Sequence, residues 1–143
     1  MAKNTEFQAF IEKAMKRKEE LNKPFEIDVK GYGKMTFNRP TNNQLIEYMD
    51  KVGQATKTAG EGEEREVVGQ DFRLMVESAK ELVYVCCPDL QSKELQEKMG
   101  IQDPMETPLE VFGINETLQI AIEISNRADG AKIQEEMDST VKN

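Results

Sequence analysis

Apolar residues recur at intervals of three and four over most of this chain of 143 residues. This spacing predicts an amphipathic helix from about Thr5 to Leu21, a second after Thr41 and a long third from about Val68 to Cys87. A shorter helix is expected between 89 and 99, and two helical segments separated at Gly113 are expected between 107 and 130. The side chains expected to be buried are Leu45, Ile46, Met49 and Val52 in the second helix and Phe72, Met75, Val76, Ala79, Leu82, Val83 and Cys86 in the third. The apolar positions of the other helices are Phe7, Phe10, Ile11, Ala14, Met15 and Leu21 in the first, Leu90, Leu95 and Met99 in the fourth, and Leu118, Ala121, Ile122 and Ser125 in the last.

A second period, of two residues, predicts a β-hairpin at 25–38. Phe25, Ile27 and Val29 alternate with charged residues, as in a half-buried strand. The glycines of 31–33 supply a turn, and the alternation resumes in the return strand. Because one hairpin is marginally stable alone, its apolar face must rest on helices. The sequence therefore predicts a mainly α (α+β) fold with about five helices packed around one small β-hairpin.

Two segments lack a clear period and are expected to lie outside the core. Residues 54–66 are rich in Gly, Thr and Glu, which predicts a mobile acidic loop. Residues 131–143 carry few large apolar residues and form either a frayed amphipathic turn or a tail that is disordered until bound. We therefore expect a single, mostly helical domain at 1–130, followed by a polar C-terminal tail at 131–143.

Charge is distributed unevenly along the chain. The formal net charge is -8, with +3 in residues 1–60 and -11 in residues 61–143. A chain this acidic repels phosphate backbones, which argues against a nucleic-acid partner. Its acidic half suits a basic protein partner or, alternatively, only keeps the surface hydrated. The sequence has no signal-peptide run and no stretch of 18 apolar residues, so we expect a cytoplasmic protein without a membrane partner.

The residues that usually carry catalysis are scarce. The chain has no histidine, which removes Ser-His-Asp and Cys-His catalysis and most zinc sites. Cys86 and Cys87 are adjacent, a spacing that would strain a disulfide, and we expect two buried thiols. The glycines of 31–33 fit a turn and not a phosphate-binding loop. We therefore expect no enzyme activity, no catalytic residue, no cofactor and no metal.

Methionine is abundant, with eight residues in the chain. Five of them fall on predicted apolar faces: Met15, Met35, Met49, Met75 and Met99. Flexible thioethers fill irregular cores, and they also line surfaces that accept varied apolar segments. Both interpretations remain open from the sequence.

The segment Lys34–Thr41, followed by Gln44–Met49, resembles the phage tail assembly chaperones of the XkdN-like family. The likeness lies in a short strand pair with an aromatic-Arg-Pro corner, here Phe37 to Pro40, ahead of a helix that begins with a Thr41–Gln44 capping box. The small size, the acidic charge and the polar C-terminal tail add to it. The likeness in detail is confined to this segment, and the likeness in layout extends over most of the chain.

The resemblance implies a non-enzymatic role in the bacterial host cytoplasm. Such chaperones bind the tape-measure protein of a phage, keep it in solution and help tail-tube subunits to assemble around it. We expect an exposed apolar strip from the first helix or the hairpin to bind the partner, and the candidate partner-binding residues are Phe7, Phe10, Met35, Phe37, Arg39 and Tyr48. The alternative is a small acidic inhibitor module that occupies a basic site on a nucleic-acid-binding protein. Salt should abolish binding of the inhibitor kind and spare apolar binding.

Overall fold

The structure is a computed structural model that describes residues 2–59 and 66–130. The elements, in chain order, are helix α1 (Ala2–Leu21), strands β1 (Phe25–Val29) and β2 (Gly33–Phe37), helix α2 (Asn42–Ala55), strands β3 (Thr56–Ala59) and β4 (Glu66–Gln70), helix α3 (Phe72–Cys86), a 3₁₀ turn (Pro88–Gln91), helix α4 (Lys93–Lys98), a second 3₁₀ turn (Pro104–Glu106), helices α5 (Thr107–Phe112) and α6 (Ile114–Ser125), and a π-helical turn (Asn126–Gly130). The expectation of a mainly α fold with a small β-hairpin is confirmed.

The hairpin forms where the two-residue period predicts it. β1 and β2 are antiparallel, with Phe25 opposite Phe37 and Ile27 opposite Met35. Gly31 and Gly33 have positive φ angles, which a residue with a side chain rarely adopts, so the turn depends on both glycines. The tip is fixed to α5 because the Tyr32 hydroxyl donates to the carbonyl of Val111 at 2.6 Å.

The core lies between the inner face of the hairpin and helices α3 and α6. The side chains buried together are Ile27, Val29, Phe37, Ala79, Leu82, Val83, Cys86, Cys87, Leu90, Ile120, Ala121 and Ile124. The cysteines are free thiols within this cluster, as the sequence predicted. Burial raises the pKa of Cys86 to about 12, and the adjacent Cys87 adds to that shift.

Residues 54–66 differ from the predicted loop. Residues 54 and 55 complete α2, and β3 then pairs with β4 in a second antiparallel ribbon. Threonines at 56 and 58 and valines at 67 and 68 favour extended backbone, and this strand preference prevails over the Gly- and Glu-rich composition. The loop prediction is therefore wrong for 54–59 and for 66, while 60–65 lie outside the described residues, as does the predicted tail at 131–143.

Helix α3 accordingly begins four residues later than the predicted start at Val68. Asp71 caps it, since its carboxylate accepts from the Leu74 amide at 3.1 Å, and the Asp71 amide donates to the Ala55 carbonyl at 2.7 Å. An aspartate at this position satisfies an amide that the first turn leaves without a helical partner. The cap ties the start of α3 to the end of α2, so the two helices run antiparallel.

Candidate partner-binding surface

From Asn4 onward, helix α1 contributes no residue to the buried core. Every side chain from Asn4 to Glu20 is exposed except that of Ile11, which is half-buried. Phe10 is 66% exposed, and its ring meets that of Phe7 edge to face at 6.5 Å. We call the apolar face of this helix the α1 strip; it consists of Phe7, Phe10, Ile11, Ala14 and Met15. The sequence predicted an exposed apolar strip from the first helix or the hairpin, and on α1 the side chains of Phe7, Phe10 and Met15 are exposed.

An open apolar groove lies where α2, α3 and α6 meet. It has a volume of about 300 Å³. Phe72 is 54% exposed and Ile122 is 46% exposed, so two large apolar groups border solvent here. We call this feature the helical groove; its lining residues are Tyr48, Val52, Phe72, Met75, Leu118, Gln119 and Ile122.

The helical groove exists because α6 is apolar on two faces. Thr117, Ile120, Ala121 and Ile124 are buried, whereas Leu118 and Ile122 line the groove. Successive helical residues are turned by about 100°, so a stripe displaced by one residue faces a different neighbour. The sequence marked 118, 121, 122 and 125 as the apolar stripe of this helix, and of these only Ala121 is buried.

Thr117 explains why the buried face of α6 was misplaced. Its hydroxyl lies within hydrogen-bonding distance of two carbonyls, those of Gly113 at 2.7 Å and Pro108 at 3.1 Å. A threonine whose hydroxyl is satisfied in this way is buried at little cost. The sequence signal that could have found the groove is the width of the apolar arc on α6, which exceeds what one packed face needs.

An acidic hollow adjoins the helical groove and shares Gln119 with it. It has a volume of about 330 Å³, and its lining includes the carboxylates of Asp28, Glu116 and Glu123. Among the residues that the structure describes, Arg127 is the single cation of this lining, and its Nε donates to Glu123 at 3.0 Å. The apolar groove therefore has a negatively charged neighbour along α6.

The six candidate residues from the sequence do not form one surface. Phe7 and Phe10 lie exposed on α1, Met35 is half-buried on the hairpin, and Tyr48 is half-buried in the helical groove, where burial raises its pKa. Phe37 is completely buried, so its ring is not available to a partner. The expectation for Phe37 is corrected: its position opposite Phe25 in the register places it on the inner face of the hairpin.

Arg39 holds the corner between the hairpin and α2. Its guanidinium donates to the Pro40 carbonyl at 3.0 Å, to Asn42 Oδ1 at 3.1 Å and to the Ala128 carbonyl at 3.4 Å. The expected capping box follows, with the Thr41 amide donating to Gln44 Oε1 at 2.9 Å and the Gln44 amide to Thr41 Oγ1 at 3.1 Å. The Arg-Pro segment on which the resemblance rests thus has a structural role that unrelated proteins could share.

Two further observations concern only residues 2–59 and 66–130. No group of three or more His, Cys, Asp or Glu side chains is arranged there to hold a metal ion. No helix among them has the length and apolarity required to span a bilayer.

Comparison of this chain with protein-family models, with curated proteins and with solved structures finds no match.

Proposed function

We propose that this chain is a non-enzymatic assembly chaperone of a phage tail, which binds an apolar helical segment of the tape-measure protein. The observation that carries the proposal is the uncovered helical groove, in which Phe72 and Ile122 border solvent. An amphipathic helix binds such a groove through side chains three and four residues apart. The half-buried thioether of Met75 lets the lining adapt to helices that differ in detail.

The charge of the chain supports the same role. A tape-measure segment is apolar and would aggregate if it were left free, whereas a complex with a carrier of net charge -8 stays in solution. The α1 strip offers a second apolar surface on the same molecule. The chaperone would therefore cover apolar surface of the tape-measure protein until tail-tube subunits replace it.

The test is capture of the tape-measure protein by tagged chain in cells that carry the neighbouring phage genes, at low and at high salt. Wild-type chain should retain it at both salt concentrations, because apolar contacts tolerate salt. Ile122→Glu should lose it, since a carboxylate in the groove must be desolvated on binding. Met99→Glu is the matched control, because Met99 is 45% exposed on the C-terminal side of α4 and does not line the groove. Equal capture by wild type and Ile122→Glu would refute the groove as the binding site.

The acidic hollow favours a second candidate function, that of an inhibitor which occupies a basic site on a nucleic-acid-binding protein. Asp28, Glu116 and Glu123 line the hollow, where three carboxylates outnumber the one arginine. In the same capture experiment this function predicts a basic protein that is retained at low salt and lost at high salt. Glu116→Gln with Glu123→Gln should abolish its capture and leave capture of the tape-measure protein unchanged.

A further inference from the structure

We infer that the α1 strip occupies the helical groove of a second copy, so that two copies exchange their first helices. The strip is a ridge that projects to solvent, and the groove is a hollow lined by apolar side chains. Phe7, Phe10, Ile11 and Ala14 have the spacing of three and four residues with which a helix enters a groove. The exchange concerns the chain alone and does not depend on the proposed function.

The chain's own corner does not provide a place for α1. The second half of α1 borders a hollow at the start of α2, and the charged groups that line it are Arg17, Lys18 and Arg39, without a carboxylate. Three cations around one hollow repel one another, so close packing of α1 against this corner is disfavoured. The connection from α1 to β1 spans only 22–24, so the C-terminal end of α1 stays close to the start of β1.

The helical groove lies at the opposite end of α2 from that corner. Asn42 borders the cationic hollow and Val52 lines the groove, and ten helical residues separate them by about 15 Å. A second copy can approach the groove without passing the cationic hollow. The repulsion at that hollow therefore favours a groove in another copy over the chain's own.

The charges beside the α1 strip and beside the helical groove are opposite in sign. Lys13 and Arg17 are four residues apart and flank the α1 strip on one side, where they outnumber Glu6. The groove is flanked along α6 by the acidic hollow, which carries the carboxylates of Glu116 and Glu123. A strip seated in the groove can place its cations beside these carboxylates, although two copies of net charge -8 otherwise repel each other.

The area is sufficient for a stable pair. Each contact covers the exposed parts of three large side chains of the strip and of two in the groove, Phe72 and Ile122, and each of these loses roughly 100 Å² of accessible surface. An exchange contains two such contacts, so the total reaches the roughly 1,000 Å² that a specific interface requires. One contact alone would bury roughly half as much and would hold the copies together weakly.

The experiment is sedimentation equilibrium of the purified chain over a range of concentrations. Wild type and Met99→Glu should form the same dimer, whereas Phe10→Glu and Ile122→Glu should each weaken it at least about tenfold. Both substituted residues are exposed, so circular dichroism should show folded chains. A mixture of Phe10→Glu and Ile122→Glu chains should associate more tightly than either variant alone and more weakly than wild type, since one intact strip meets one intact groove and the second contact is lost. A wild-type chain that stays monomeric at every concentration would overturn the inference.

Cross-linking separates exchange between copies from packing within one copy. Phe10→Cys and Ile122→Cys chains, mixed and oxidised, should give a disulfide-linked pair, and the buried Cys86 and Cys87 should not take part. A chain that carries both new cysteines and forms only an internal disulfide would overturn exchange in favour of a strip folded onto its own groove. Because purified chain is used alone, failure here leaves the chaperone proposal standing, and failure of tape-measure capture leaves the exchange standing.

Discussion

Lys80 is a buried cation whose removal tests how the 104–106 turn is held on α3. Its side chain is 6% exposed, and its Nζ lies 2.8 Å from Glu106 Oε1 and 3.0 Å from Glu77 Oε2. Burial of the ammonium lowers its pKa, but the hydrogen bonds to Glu106 and Glu77 outweigh burial, so the pKa of Lys80 lies above 10.5. The cation therefore stabilises the fold at pH values below the unfolded pKa, and this contribution is lost as the pH rises through the folded pKa.

The contribution of Lys80 to the free energy of unfolding has two parts. One comes from its ammonium charge and the other from the methylenes of its side chain, called the stem below. Hydrogen bonds to charged groups contribute about 1.5–3 kcal/mol each, and desolvation of the ammonium offsets most of this, which leaves about 1 kcal/mol. The two partner carboxylates remain partly exposed, so water can solvate them once the lysine is gone. The buried methylenes of the stem add roughly 2 kcal/mol. We expect Lys80→Met to lower the free energy of unfolding by about 1 kcal/mol and Lys80→Ala by about 3 kcal/mol.

Urea unfolding followed by far-ultraviolet circular dichroism measures both values. Lys98→Ala is the matched control, because Lys98 Nζ lies 3.0 Å from Glu94 Oε1 but its side chain is 75% exposed. We expect less than about 0.5 kcal/mol from that change, as for other exposed pairs. If Lys80→Met unfolded at the same urea concentration as wild type, the ammonium would contribute nothing and only the stem would hold the turn.

Two further predictions concern the core. Phe37→Ala should lower the free energy of unfolding by about 3–5 kcal/mol, because the ring is completely buried. Phe10→Ala, at an exposed ring, should change it by less than about 0.5 kcal/mol. Similar urea midpoints for the two variants would contradict the assignment of Phe37 to the core and Phe10 to the surface. Burial raises the pKa of Cys86 from 9.0 to about 12, so the thiol loses its proton at a lower pH in the unfolded chain than in the folded one. The free energy of unfolding should therefore fall as the pH rises from 9 toward 12. Cys86→Ala should reduce this fall, and the same dependence of unfolding free energy on pH in both chains would refute the burial argument.

The elements that local chemistry determines could be predicted from the sequence. The hairpin follows from the alternation of 25–29 and the glycines at its turn, and the start of α2 follows from the Thr41–Gln44 capping box. Gly113, with a φ of 84°, separates α5 from α6 at the predicted position. Each of these features depends on a few neighbouring residues and hardly on the rest of the fold.

The helical groove could not be predicted, because it depends on which apolar face finds a neighbour. For α1 the sequence predicted an exposed apolar strip on this helix or on the hairpin, and only the structure shows that α1 carries it. On α6 the sequence contained both apolar faces, but only the assembled fold shows that Ile120 meets the hairpin cluster while Ile122 borders the groove. The ribbon of β3 and β4 was missed for a related reason, since its strands are short and pair across an acidic, Gly-rich segment.

The exposed α1 strip needs another surface to cover it. Helices in proteins gain most of their stability from the packing of an apolar face, and α1, with 20 residues, lacks such packing within its own chain over the described residues. The core at the hairpin, α3 and α6 is complete without α1, so this helix adds little to the stability of the rest. Exposed phenylalanines on such a helix are a liability for aggregation unless another surface covers them. A second copy or an apolar helical partner provides that cover, and because both would occupy the same helical groove, self-association and partner binding should compete.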